Sequence, residues 1–220
     1  MAELVASGPA ESIEALRAAR VVAVVTVRDP ADGVPLTLAL VEGGLPVVEI
    51  TLRTAAGLEA LRAAASGVPE ALVGAGTVVT TEAAEAAIAA GARFVVSPGL
   101  VESVVETCRK RGVLVLPGIA TPTELLRALA LGCTTVKVFP ASVLGGPAIL
   151  RALAALGTGA GFVPTGGITL DSAPSYLALS EVVAVGGSWM VPADRLAAGD
   201  WDGIRELASA CAVLREDDSS

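Results

Sequence analysis

Short β-branched runs and alanine-, leucine- and glutamate-rich runs alternate from one end of the chain to the other. A β-branched run with little polar alternation reads as a strand covered on both faces, as in a parallel sheet. Such runs predict strands at 21–27, 46–52, 71–76, 92–97, 113–117, 134–138, 161–165 and 181–185. The runs between them predict helices at 31–42, 55–65, 81–90, 101–110, 122–130, 147–156, 171–178 and 201–214, with one more helix at 12–19 ahead of the first strand. Gly43, Gly91, Gly112 and Gly132 stand where helix ends need a glycine.

Eight strands alternating with eight helices predict an α/β protein, a (β/α)8 TIM barrel with an N-terminal helix, folded as one domain over residues 1–220. Residues 1–10 and 215–220 are expected to be flexible ends. The alternative is an open doubly wound sheet, which usually carries Gly-x-Gly-x-x-Gly after its first strand. Here that strand runs into Thr26-Val27-Arg28-Asp29-Pro30 instead.

Composition narrows the function. The 220 residues are 53% hydrophobic and 17% charged, enough to bury a large aliphatic core. A net charge of −8 argues against nucleic acid or a membrane surface as partner. Mean hydropathy is +0.70, yet no apolar run approaches the roughly 20 residues that a spanning helix needs. The first residues lack a basic segment ahead of an apolar one, so no signal peptide is expected and the location expected is cytoplasmic. Cys108, Cys133 and Cys211 are far apart and are expected to be buried thiols. The chain contains no histidine. That removes Ser-His-Asp and Cys-His triads, His-ligated zinc and imidazole acid–base chemistry. Proton transfer is left to a carboxylate, a lysine, a tyrosine, the substrate or water.

The stretch 134–140, Thr-Thr-Val-Lys-Val-Phe-Pro, carries one lysine inside a buried strand. Alternation puts Thr135, Lys137 and Phe139 on one face and the two valines on the other. A buried lysine is costly unless it is paired, neutral or chemically used. A snorkelling lysine at a strand end is the plain alternative. In a TIM barrel the chemistry sits at strand C-termini. Those ends supply Glu49, Thr51 and Arg53 on one face of the second strand, and glycine pairs in Thr165-Gly166-Gly167 and Gly186-Gly187-Ser188 after the seventh and eighth. Glycine pairs there suit a phosphate, although each alone also fits a tight turn. Glu49 is the one carboxylate among these ends, so an enolate-stabilising metal site is poorly supplied and neither metal nor other cofactor is expected. A desolvated lysine does the same work covalently, as an imine with a ketone.

Seven stretches, one per strand end from the second strand on, also resemble a known family. They are Val48-Glu49-Ile50-Thr51-Leu52-Arg53-Thr54, Gly74-Ala75-Gly76-Thr77-Val78, Ser97-Pro98-Gly99-Leu100, Leu116-Pro117-Gly118-Ile119, Val136-Lys137-Val138-Phe139-Pro140-Ala141, Pro164-Thr165-Gly166-Gly167-Ile168 and Gly186-Gly187-Ser188-Trp189. In that order they resemble the 2-keto-3-deoxy-6-phosphogluconate (KDPG) and 4-hydroxy-2-oxoglutarate (KHG) aldolases, class I Schiff-base enzymes. The resemblance implies that Lys137 forms the imine and Glu49 is the general acid/base, partly through a bound water. It implies that Arg53, with Thr77, holds the carboxylate of the pyruvate end, and that Pro98 and Phe139 wall the pyruvyl pocket. Thr165 would recognise the hydroxyl-bearing part, and Gly166, Gly167, Gly187 and Ser188 the phosphate. It further implies a homotrimer acting on a small 2-keto acid and releasing pyruvate. Some relatives place an arginine near the end of the first strand, where this chain has Thr26, with Arg28 two residues on.

Overall fold

Buried on both faces, the valine-rich runs can hydrogen-bond only to one another, and they assemble as parallel strands. The computed structural model describes residues 8–214. The strands are β1 (Val21–Val25), β2 (Val47–Thr51), β3 (Leu72–Gly76), β4 (Phe94–Val96), β5 (Leu114–Leu116), β6 (Gly118–Ile119), β7 (Thr135–Val138), β8 (Gly161–Pro164) and β9 (Val185–Gly187). The helices are α1 (Pro9–Ala19), α2 (Gly33–Glu42), α3 (Gly57–Gly67), α4 (Thr81–Ala89), α5 (Glu102–Lys110), α6 (Pro122–Ala130), α7 (Pro147–Ala154), α8 (Ala173–Leu177), α9 (Ala193–Ala198) and α10 (Trp201–Ser209). The chain has an α/β fold with a curled parallel sheet.

Six strands run in the order β5-β4-β3-β2-β1-β9, and three in the order β6-β7-β8. The break between the two groups is Pro117, which has no N–H to give to the ladder. Its carbonyl still accepts from Lys137 N–H, while Leu116 accepts from Ser97 N–H. On the other side, isolated bridges Phe162–Val182 and Thr165–Gly186 link β8 to the β9 segment.

The pleat sorts side chains into two cores. Val21, Ala23 and Val25 of β1 pack with the helices in one cluster. Val22 and Val24 face the other, with Val47, Leu72, Phe94, Leu116 and Val163. Among the described residues the only helix that contributes to this second core is α1, through Ala15, Leu16 and Ala19. It therefore seals one end of the space inside the sheet.

Several boundaries differ from expectation. The eighth predicted strand, 181–185, is instead β9, so Gly186 and Gly187 are strand backbone rather than loop. Val182 makes only a single bridge to Phe162. The left-handed residue after α2 is Gly44, with φ 88, not Gly43, which stays helical. The last predicted helix ends as α10 at Ser209 and continues to Leu214 as a 3-10 turn. Helix α9 was not expected. It is short, and its signals are a proline at the N-cap and left-handed Gly199 at the C-cap. Helix α1 starts at Pro9, a favoured residue at a first helical position. Of the expected flexible ends, 1–7 and 215–220 lie outside the described residues. No helix among the described residues is long and apolar enough to cross a membrane.

Cys108 and Cys133 are buried and unbridged. Burial pushes the Cys108 thiol up to about 12 from its ordinary 9.0, with Cys133 and Glu85 adding to the effect. Since the folded chain holds that proton more tightly than the unfolded one, this contribution to stability is present below about pH 9 and is lost as the pH rises towards 12. At pH 8 the reactive thiolate is rare. Iodoacetamide should leave Cys108 unlabelled in the folded protein at pH 8 and label it in urea, as read by peptide mass mapping. Rapid labelling without urea would contradict this packing.

Candidate active site

Strand β2 presents Val47, Glu49 and Thr51 to the inside of the sheet, while Val48 and Ile50 face the helices. Strand β7 presents Thr135 and Lys137 in the same sense, with Val136 and Val138 towards the helices. The two strands are 88 residues apart, and the curl of the sheet brings their inward side chains together. Lys137 Nζ donates to Glu49 Oε1 at 3.4 Å. Their side chains are only 7% and 4% exposed. Other ion pairs of the described residues, such as Arg111–Glu85 and Arg127–Glu102, stand in solvent. Lys137 Nζ also lies 5.2 Å from the centre of the Phe139 ring, within cation–π range.

Around this pair the strand ends supply short polar contacts. Thr26 and Thr51 share a hydrogen bond of 2.7 Å between their hydroxyls. Arg53 Nε donates to Thr77 Oγ1 at 3.2 Å. Thr77 has φ 60, a left-handed conformation that is uncommon for a β-branched residue. Strain of that kind collects at functional sites. Ser97 Oγ donates to the Gly99 carbonyl at 2.7 Å and fixes the turn that carries Pro98. Pro98 packs so closely on β6 that a Cβ at Gly118 would meet its backbone at 2.3 Å.

The loops after β7 and β8 are stitched together. Ala141 N–H donates to the Thr165 carbonyl at 2.8 Å and Ser142 N–H to the Gly166 carbonyl at 3.1 Å. Gly166 and Gly167 have φ of 100 and 72. The missing Cβ of Gly166 would stand 3.2 Å from the Phe139 ring, and that of Gly167 on the Ser142 hydroxyl. The first glycine pair thus closes directly over the strand that carries the lysine. Thr165 is buried and bridges to Gly186. Gly187 is buried in β9 under the ring of Trp189, whose indole N–H has no partner among the described residues.

A cleft of about 1060 Å³ is lined by Thr26, Arg28, Arg53 and Ser188, together with residues from Val191 to Gly199. Arg28 and Arg53 therefore share one cavity. Lys137 and Glu49 are not part of its lining; Arg53 and Thr26, through their bonds to Thr77 and Thr51, connect the cleft to the polar strand ends. Asp29, Asp32 and Asp194 line it too. Burial, and after it the neighbouring Asp29, hold the Asp32 carboxyl above its usual range. Among the described residues no group of three or more Cys, Asp or Glu side chains is arranged to hold a metal ion.

The contacts Lys137–Glu49 and Arg53–Thr77 join residues singled out in the sequence. Ser142 and the wall from Val191 to Gly199 were missed. Ser142 lies two residues past the cis Phe139–Pro140 peptide, just beyond the motif as quoted. The Pro192 and Gly199 bracket around α9 was the signal for the wall.

Comparison with known proteins agrees with this arrangement. The family model for KDPG and KHG aldolase matches residues 12–207. A 2-dehydro-3-deoxy-phosphogluconate aldolase of Treponema pallidum is 49% identical, over 89% of this chain and 93% of the relative. The KHG/KDPG aldolase of Escherichia coli K12 is 44% identical, over 90% and 92%. Among solved structures, a KDPG aldolase from Legionella pneumophila, with pyruvate captured as a covalent carbinolamine, has a TM-score of 0.87 at 38% identity and covers 90% of this chain and 97% of its own. The chain belongs to the KDPG and KHG aldolase family of lyases.

Proposed function

We propose that this chain is a class I aldolase that cleaves 2-dehydro-3-deoxy-6-phosphogluconate to pyruvate and glyceraldehyde 3-phosphate. The observation that carries the reading is the buried contact of 3.4 Å between one amine and one carboxylate. Burying an ion pair seldom adds stability over an apolar pair of similar size, so its presence inside the sheet favours a chemical use. The names of the relatives supply the substrate class. The sheet works as one (β/α)8 barrel domain, a reading supported by the single residue, Pro117, between β5 and β6 and by the isolated bridges Phe162–Val182 and Thr165–Gly186 beside β8 and β9.

Lys137 attacks the C2 ketone and, with loss of water, forms a protonated imine. Glu49 takes the proton of the C4 hydroxyl, directly or through a water. The C3–C4 bond breaks, its electrons move into the imine to give an enamine, and the aldehyde leaves. Protonation at C3 and hydrolysis release pyruvate and restore the lysine. Arg53, with Thr77, holds the C1 carboxylate, a planar partner suited to a guanidinium. Pro98 and Phe139 form the apolar wall beside C3, and Thr165 recognises a substrate hydroxyl. Gly166, Gly167, Gly187 and Ser188 receive the phosphate through backbone N–H groups and a hydroxyl. Arg28, in the same cleft as Arg53, adds a second cation for the far anionic end. No cofactor takes part. Homotrimer assembly and a cytoplasmic location complete the reading, and a sedimentation mass of a single chain would contradict the trimer.

A second reading rests on the Escherichia coli relative, whose name joins KHG to KDPG. There, 4-hydroxy-2-oxoglutarate would be the main substrate, giving glyoxylate and pyruvate. The 6-phosphogalactonate epimer is a further candidate, and a non-catalytic barrel that only binds a phosphorylated ligand is the reading outside enzymes. Coupled assays of pyruvate release separate them. The proposal expects the fastest cleavage on the phosphorylated gluconate acid and a kcat at least about 10³-fold lower for Lys137→Ala. Faster cleavage of 4-hydroxy-2-oxoglutarate or of the epimer would move the assignment to that acid, and no cleavage of any would leave only binding.

Thr77 tests the carboxylate end. Thr77→Gly relieves the left-handed backbone and is expected to raise stability by up to about 1 kcal/mol in urea melts. The same change removes the hydroxyl beside Arg53 and should raise KM for the keto acid. A variant with unchanged KM would put the carboxylate elsewhere.

A further inference from the structure

Strand β3 ends in Gly76, paired in register with Thr51 of β2. Its φ is not left-handed, so its backbone does not call for glycine. What it lacks is space. A Cβ on Gly76 would lie 2.2 Å from Glu49 Oε1 and 2.8 Å from Glu49 Cδ and Cγ. Oε1 is also the oxygen that accepts from Lys137 Nζ at 3.4 Å. The Glu49 side chain therefore leans from β2 across the bare backbone of β3 on its way to the lysine. Even the smallest side chain at Gly76 would have to push that oxygen aside by on the order of 1 Å to reach normal van der Waals separation.

We infer that Gly76 is a positioning residue for the aldol chemistry, holding open the path by which the Glu49 carboxylate reaches Lys137 and the C4 hydroxyl. The inference rests on the acid/base role proposed for Glu49. It adds that this role depends on an empty Cβ position on the neighbouring strand. Glu49 is flanked in the sheet by Val24 and Gly74, neither of which could take over the carboxylate.

The test is a double-mutant cycle on the full chain with Gly76→Ala, Glu49→Ala and the pair, each followed by kcat, KM, the pH profile of kcat and thermal unfolding. Gly76→Ala is expected to lower kcat by about 10²-fold, the loss typical of a catalytic group displaced by about 1 Å. KM for the phosphorylated acid should change less than about threefold, and the limb of the pH profile that depends on Glu49 should move. With Glu49→Ala already in place the added methyl has room, so Gly76→Ala should then cost less than about twofold in kcat. Equal losses in both backgrounds, or full activity in Gly76→Ala alone, would overturn the inference. If Gly76→Ala fails to fold while the pair folds, the packing of Glu49 on Gly76 is upheld; if neither folds, it is overturned, because the glycine then serves the strand itself. Full activity in Glu49→Ala alone would overturn the acid/base reading rather than the packing, which the unfolding temperatures of the cycle still report.

Discussion

Two opposite charges held out of water set the terms for the rest of the structure. Removing an ammonium and a carboxylate from solvent costs several kcal/mol each, repaid only when the two meet closely in a low-dielectric space. Lys137 and Glu49 meet that condition from strands on different parts of the sheet. Strand backbones fix both side chains at their bases. The aliphatic core below excludes water, and α1 seals it with Leu16. The Phe139 ring offers its face to the cation. A lysine fixed in such a place meets a ketone in one orientation, which favours imine formation.

Rigidity and openness are divided between two layers. The buried polar side chains Glu49, Thr51, Ser97, Lys137 and Thr165 lie within strands or directly after them. Above them, exposed Arg28 and Arg53 and three aspartates line an open cleft. The loops after β7 and β8 are joined by main-chain hydrogen bonds, so the glycine pair at 166–167 is tied to the strand that carries the lysine. This arrangement suits a small substrate whose reacting carbons sit in a dry, fixed pocket and whose charged ends reach towards solvent.

Much of this was legible in the sequence because parallel strands buried on both faces leave an unbroken apolar signal. A lysine inside such a run could be noticed with no structure at all. Strand alternation gave Lys137 and Glu49 each a face, and Glu49 stood out as the one carboxylate among the strand ends of a chain without histidine, but that the two side chains meet is seen only in the folded sheet. Ladder details stayed hidden. The strand predicted at 113–117 ends as β5 at Leu116, and β6 follows beyond Pro117, because a missing N–H matters only once its neighbour is known. The valines at 182–183 mimic a strand, yet β9 begins later, where Val185 meets Val21. Gly43 and Gly44 are indistinguishable in sequence, and only the path of the chain after α2 selects the second. Helix α9 was too short to give a periodic signal. Close approaches such as Glu49 over Gly76 depend on which strands are neighbours, information that no local pattern holds.

The account stands on Lys137 acting as a covalent electron sink. Incubation with pyruvate and sodium borohydride, followed by digestion and mass spectrometry, tests it directly. A reduced pyruvyl adduct on the peptide carrying Lys137, absent without pyruvate and absent from Lys137→Ala, is the result predicted. Full activity with no adduct on Lys137, or an adduct on another lysine, would contradict it.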